Sequence, residues 1–113
     1  MFKLLSIKVS SKIDKKFDAK FINKQTKQER TISLGAKKYR DYTLINDKKS
    51  KFYIPDKEER EKVKELYQKR HAKDLLTDAS KTGMSAGALS YYVLWTGTTL
   101  TKGISNYRKK YNL

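Results

Sequence analysis

His71 is the only imidazole in a chain of 113 residues that contains no cysteine, so any acid–base or metal chemistry must be built around it and the carboxylates. One reading makes His71 a general base in a metal-dependent nuclease, working with Asp41 or Asp47. The other makes it a helix-face residue that packs or caps. A catalytic metal needs two or more carboxylate or imidazole ligands in a fixed cluster, and no short-range constellation of that kind occurs, which favours packing. The run Asp56, Glu58, Glu59 and Glu61 reads as the acidic start of a helix and not as a magnesium site. No GxxxxGK[ST], GxGxxG or GxSxG pattern is present to cradle phosphate or present a nucleophile. The expectation is a protein that is not an enzyme, with no catalytic residue, no metal site and no cofactor.

Charge is the stronger signal. The chain holds 27 Lys and Arg against 12 Asp and Glu, a formal charge of +15, where solubility calls for about 2–8 in a small domain. The excess is uneven. Residues 1–54 carry fifteen cations and five carboxylates, residues 55–78 seven of each, and residues 79–113 five cations and no carboxylate. Such a surface attracts polyanions, with affinity that falls steeply as salt rises. Nucleic acid, DNA or RNA, is the leading partner class, and no small-molecule substrate is indicated. No apolar run approaches the roughly 20 residues that span a bilayer, and the opening MFKLLSIKVSSK alternates where a signal peptide would be continuously apolar. We read the chain as soluble and unprocessed. The lack of cysteine rules out a disulfide framework and fits a reducing compartment.

Periodicity predicts an α+β fold in one domain, with an N-terminal three-stranded antiparallel meander, a long helix and a C-terminal helical hairpin. In residues 1–34, Leu5, Ile7 and Val9 alternate with Ser6 and Lys8, and Phe17, Ala19 and Phe21 alternate with Lys16, Asp18 and Lys20. A third strand runs from Glu29 to Leu34 with Ile32 and Leu34 inward. The outer face should show Lys3, Lys8, Lys16 and Lys20. Residues 35–54 follow neither period and form a basic loop. Residues 55–76 form the central helix, opened by Pro55 and Asp56, with Val63, Leu66, Tyr67, Arg70 and His71 recurring at three-and-four spacing. A polar linker over Thr77–Gly83 leads to a helical pair in 85–113, capped by Ser85 and by Thr98 or Thr99, with Gly97 between them.

In the basic loop Tyr39, Tyr42, Phe52 and Tyr53 interleave with Lys37, Lys38, Arg40, Lys48, Lys49 and Lys51. Single-strand binders use such interleaving to stack bases while cations hold phosphates; the blander reading, that the rings pin the loop to the core, is the more favoured. The expected phosphate contacts are Lys16, Lys20, Lys37, Lys38, Arg40, Lys48, Lys49 and Lys51, with Arg108, Lys109 and Lys110 as a second patch. In the apolar C-terminal segment Leu89, Tyr91, Tyr92, Trp95, Leu100 and Ile104 serve either as core or as the interface of a homodimer. A small domain gains stability by burying such surface against a second copy, and we take the homodimer as the expectation.

Four motifs occur in order along residues 29–113: Leu34-Gly35-Ala36 with Tyr39-Arg40-Asp41-Tyr42-Thr43 and Asp47; Tyr67-Gln68-Lys69-Arg70-His71; Thr82-Gly83 with Ala86 to Trp95; and Thr99-Leu100 with Ile104 and Tyr107. Together they resemble a family of small basic proteins of unknown function from nucleocytoplasmic large DNA viruses, marseilleviruses and their relatives among them. Members of that family tend to carry a His where this chain has Ile45, which argues against a two-histidine site here. The resemblance implies a viral product packaged in the virion with the genome, handled in the cytoplasmic viral factory or the nucleus of the host cell. The function expected from residues and resemblance together is a virion-associated protein that binds DNA or RNA largely without sequence specificity. A scaffold bridging virion proteins is the alternative, and a metal-dependent nuclease a more remote one.

Overall fold

The computed structural model describes residues 1–113. Three strands, β1 (Phe2–Val9), β2 (Lys15–Asn23) and β3 (Glu29–Ala36), pair antiparallel in the order β1-β2-β3, as the alternation predicts. In the central strand Ala19 lies between Ile7 and Ile32, and Phe17 between Val9 and Leu34. One expected face is corrected. The register shifts between Leu4 and Ser6, so a bulge changes the parity of the strand. Leu4, 5% exposed, takes the core position opposite Phe21, while Leu5 is 48% exposed. Val9 and Ile13 are also exposed at the open end of the sheet.

The outer face of the sheet is less cationic than expected, because two of its four lysines meet carboxylates. Lys16 turns its ammonium onto Asp41, Lys20 pairs with Glu29 at 3.6 Å, and Ser33 donates to Asp18 at 2.7 Å, which holds the Asp18 carboxyl below its usual range. Lys8 lies opposite Asp18 across the β1–β2 ladder. Lys3 and Lys8 have no carboxylate within 4.0 Å, so the face keeps a cationic excess at those two positions.

Each helix starts where a short polar side chain can take an orphan N–H. Asp41 caps α1 (Tyr42–Ile45), a single turn inside the segment expected to lack regular structure. Asp56 caps α2 (Lys57–His71), which runs on as a 3₁₀ turn over Ala72–Leu76. Thr77 caps α3 (Asp78–Lys81) within the expected linker, where Ser80 is buried, donates to the Asp74 carbonyl and lies 2.7 Å from the Ser85 hydroxyl. Ser85 in turn caps α4 (Ala86–Leu89), and the chain then widens to a π turn over Ser90–Leu94. Thr99 caps α5 (Leu100–Tyr111), which ends on Asn112 in the left-handed region.

The core forms where the sheet, the π turn and α5 meet. Leu4, Ala19, Phe21, Leu34, Tyr42, Ile45, Leu89, Val93, Leu94, Trp95 and Tyr107 make one buried cluster. This overturns part of the expected dimer surface, because Leu89 and Trp95 are spent inside the chain; Tyr92, Leu100 and Ile104 pack half-buried against the same cluster. The crossing of α5 over the π turn is very close. A Cβ at Gly103 would sit 1.9 Å from the Val93 carbonyl oxygen, so only glycine permits this approach. Tyr107 lies fully buried beneath it and donates to the Gly83 carbonyl at 2.7 Å.

Two predictions follow from this packing. Gly103→Ala should destabilise by about 2 kcal/mol or more although alanine is the better helix former, because α5 must lift off its neighbour. Gly87→Ala, whose nearest obstacle is Asp74 at 3.4 Å, should leave the urea midpoint unchanged or raise it. Equal effects at the two positions would contradict the close approach. Burial pushes the Tyr42 and Tyr67 phenols up to about 12 and raises Tyr107 as well. The fold therefore disfavours their phenolates, and the unfolded chain gives up those protons first. Stability should hold below about pH 10 and fall as pH rises toward 12. A single phenolate transition near pH 10 with the helical signal intact would count against it.

Candidate functional site

The end of β3, the Tyr39–Asp41 segment, the C-terminal half of α2 and the π turn enclose a cleft of about 680 Å³. Its floor is an ion pair. Lys16 Nζ lies 2.6 Å from Asp41 Oδ2, with the two side chains 10% and 2% exposed. Asp41 Oδ1 accepts from the Thr43 hydroxyl and the Leu44 amide, so both carboxylate oxygens are engaged. Gly35, at φ +74°, lets the strand pass between the Lys16 stem and Leu94; a Cβ there would meet Leu94 Cδ1 at 2.9 Å.

One wall comes from α2. Val63, Leu66, Tyr67, Arg70 and His71 all line the cleft, so the helical stripe visible in the sequence faces this space. None of the α2 residues is fully buried, and Leu66 is 60% exposed. Tyr67 stacks on Trp95 with centroids 4.1 Å apart and planes 7° apart, and on His71 at 4.2 Å and 27°. The result is a short column of rings. Gln68 donates to the Trp95 carbonyl at 3.0 Å and Tyr42 to Glu61 at 2.5 Å, which tether α2 to the body on either side of the column. The opposite wall carries Tyr39, 69% exposed, and the exposed Arg40.

His71 and Asp41 share the cleft, but each has another task. His71 Nδ1 meets Asp74 Oδ2 at 2.8 Å, while Asp41 holds Lys16 and caps α1. Asp47 accepts from the Lys49 amide in its own turn. No group of three His, Asp or Glu residues is gathered as a metal would require.

The expected phosphate contacts divide by circumstance. Lys16 is withdrawn into the floor, a correction the sequence pattern concealed because Asp41 lies 25 residues away. Arg108 is half-buried and donates to the carbonyls of Leu4 and Leu113, so it holds the bulged strand and the chain terminus. Lys37, Lys38, Arg40, Lys48, Lys49, Lys51, Lys109 and Lys110 are exposed and none is paired with a carboxylate. Three of the loop rings do pin the loop: Tyr42 is buried, and Phe52 and Tyr53 are partly covered. Tyr39 is the exception. The three-and-four spacing marked the α2 stripe in the sequence without saying what it faces; the signal for an open cleft is that the stripe ends in Arg70 and His71, which a dry interface would not accept unpaired.

Lys16→Met should leave the Asp41 carboxylate buried without a counter-charge and cost about 3–5 kcal/mol in chemical unfolding. Adding Asp41→Asn should recover part of that loss, since an amide oxygen can still cap Leu44 and no net charge stays buried. An unchanged midpoint in the single variant would show that the pair does not hold the loop. No protein-family model matches the chain, and no similar curated protein or solved structure was found.

Proposed function

We propose that the protein binds nucleic acid without catalysing a reaction on it, through cations that its own carboxylates leave unpaired. The observation that carries this reading is the pairing pattern. Only five of the 27 lysines and arginines have a carboxylate within 4.0 Å. The unpaired cations include all six in the Lys37–Lys51 segment. Free ammonium and guanidinium groups in such density displace the counterions condensed on a polyanion and gain affinity from their release.

Phosphate contacts of this kind position a protein but carry no base information. Recognition is therefore largely independent of sequence. The motif resemblance supports a virion as the setting, where a packaged genome would be the polyanion encountered. A second copy, if one docks, has Tyr91, Tyr92, Leu100 and Ile104 to seat on, because Leu89 and Trp95 are unavailable.

Fluorescence anisotropy with a labelled oligonucleotide over a salt series tests the reading. Contacts to roughly five phosphates give a log–log slope of about −3.5 to −4.5. Lys48→Gln with Lys49→Gln should flatten that slope by about 1.5 and leave thermal unfolding unchanged, since both side chains are exposed. A slope near zero, or no binding at low salt, would overturn it.

A further inference from the structure

We propose that the cleft between α2 and the Tyr39–Asp41 segment is a pocket for one unstacked nucleobase, so that the nucleic acid engaged there is single-stranded. This rests on the nucleic-acid reading above and adds a site to it. The α2 wall of the cleft is only half-covered: Val63 and Tyr67 pack half-buried against the core cluster, yet together with Leu66, which is 60% exposed, they line about 680 Å³ of open cleft, where a helix stripe at this spacing would ordinarily be buried throughout. That volume falls within the range of about 300–1,000 Å³ typical of small-ligand sites and is ample for one nucleotide.

Charge is distributed unevenly through the depth of the cleft. At the floor Lys16 and Asp41 satisfy each other, so the deep end offers no free charge. At the mouth Arg40 and Arg70 are exposed and have no carboxylate partner. An uncharged flat ring therefore suits the interior and an anionic group suits the rim, which is the layout of a base joined to its phosphate. An apolar chain would leave both guanidiniums unanswered, and an acidic peptide would leave the aromatic interior unfilled.

Tyr39 is the one aromatic of the basic loop that does not pack inward, and it lines the same cleft as Trp95, Tyr67 and His71, whose rings stack in a column. Every base has a π face, so stacking of this kind tolerates sequence. A base inside a duplex is already stacked on both sides and could not enter.

Trp95 is the only tryptophan and lines the cleft, so its emission reports occupancy without a label. The probes are an oligothymidylate of about ten nucleotides, within the site sizes of single-strand binders, and an abasic strand of equal length and charge. The oligothymidylate should shift Trp95 emission and bind roughly 10-fold or more tightly than the abasic strand. Tyr39→Ala, at an exposed position outside the core, should bring thymidylate affinity down to the abasic level while abasic binding stays as it was. Equal affinity for the two strands with unmoved emission would overturn the base pocket and leave phosphate binding standing. Failure of both strands to bind at low salt would instead remove the nucleic-acid reading itself. A change in Trp95 emission produced by oligoglutamate as strongly as by thymidylate would also overturn the pocket, in favour of an acidic peptide.

Discussion

Lys16 reaches from β2 to Asp41 and sets its ammonium 2.6 Å from a carboxylate that is almost wholly withdrawn from water. Removing two charges from water is expensive, and their attraction offsets this only when the remaining lone pairs are satisfied. Asp41 meets that condition with Thr43 and the Leu44 amide. One carboxylate therefore docks the sheet, starts α1 and closes the bottom of the cleft. Because a broken pair would strand a buried charge, the loop has few alternative positions. Tyr39 and Arg40 immediately precede this anchor, so their exposure is a consequence of how firmly the next residue is held.

The same pair explains much of what was hidden in the sequence. Lys16 alternates with Phe17 and Ala19 as an outward strand residue should, and nothing local marks it as a partner for Asp41. The meander, the capped starts of α2, α4 and α5 and the order of elements were legible because they rest on short-range chemistry: alternation, Asp56, Ser85 and Thr99. Leu5 misled because a bulge one residue long inverts a period of two. The π turn was invisible for a different reason. A glycine inside a helix ordinarily weakens it, whereas Gly103 is the position that admits the Val93 carbonyl. In each case the sequence showed the residue and the tertiary contact gave it its meaning.

Charge also has to be read after folding. The neutral block of α2 is neutral locally, through Glu61–Lys64 and Glu65–Lys69 pairs on its surface, and exposed pairs of that kind add about 0–1 kcal/mol each. On the sheet face Glu29 pairs with Lys20 across strands, while Lys3 and Lys8 have no carboxylate within 4.0 Å. Of the 22 cations with no carboxylate within 4.0 Å, seven lie in residues 1–36, six in the Lys37–Lys51 segment, five in residues 55–78 and four in residues 79–113, so unpaired charge is spread over the chain, with dense runs in the loop and at Arg108–Lys110.

The cleft exists because α2 is held by a few polar tethers, a ring column and the half-buried contacts of Val63 and Tyr67 instead of by a dry face. A 15-residue helix is marginal alone in water, and this one buries no residue completely. Its attachment comes from the Tyr67–Trp95 stack, the Gln68 bond to the Trp95 carbonyl, the Tyr42–Glu61 bond, and Arg60 donating to the Ile54 carbonyl at 2.6 Å. These tethers fix the axis of α2 while leaving Val63 half-buried and Leu66 60% exposed. With only 18 of 113 residues buried, the domain has little apolar surface to leave uncovered. Leaving this stripe open sacrifices burial that a small core could use, which makes the stripe the part of the molecule whose placement stability alone does not explain.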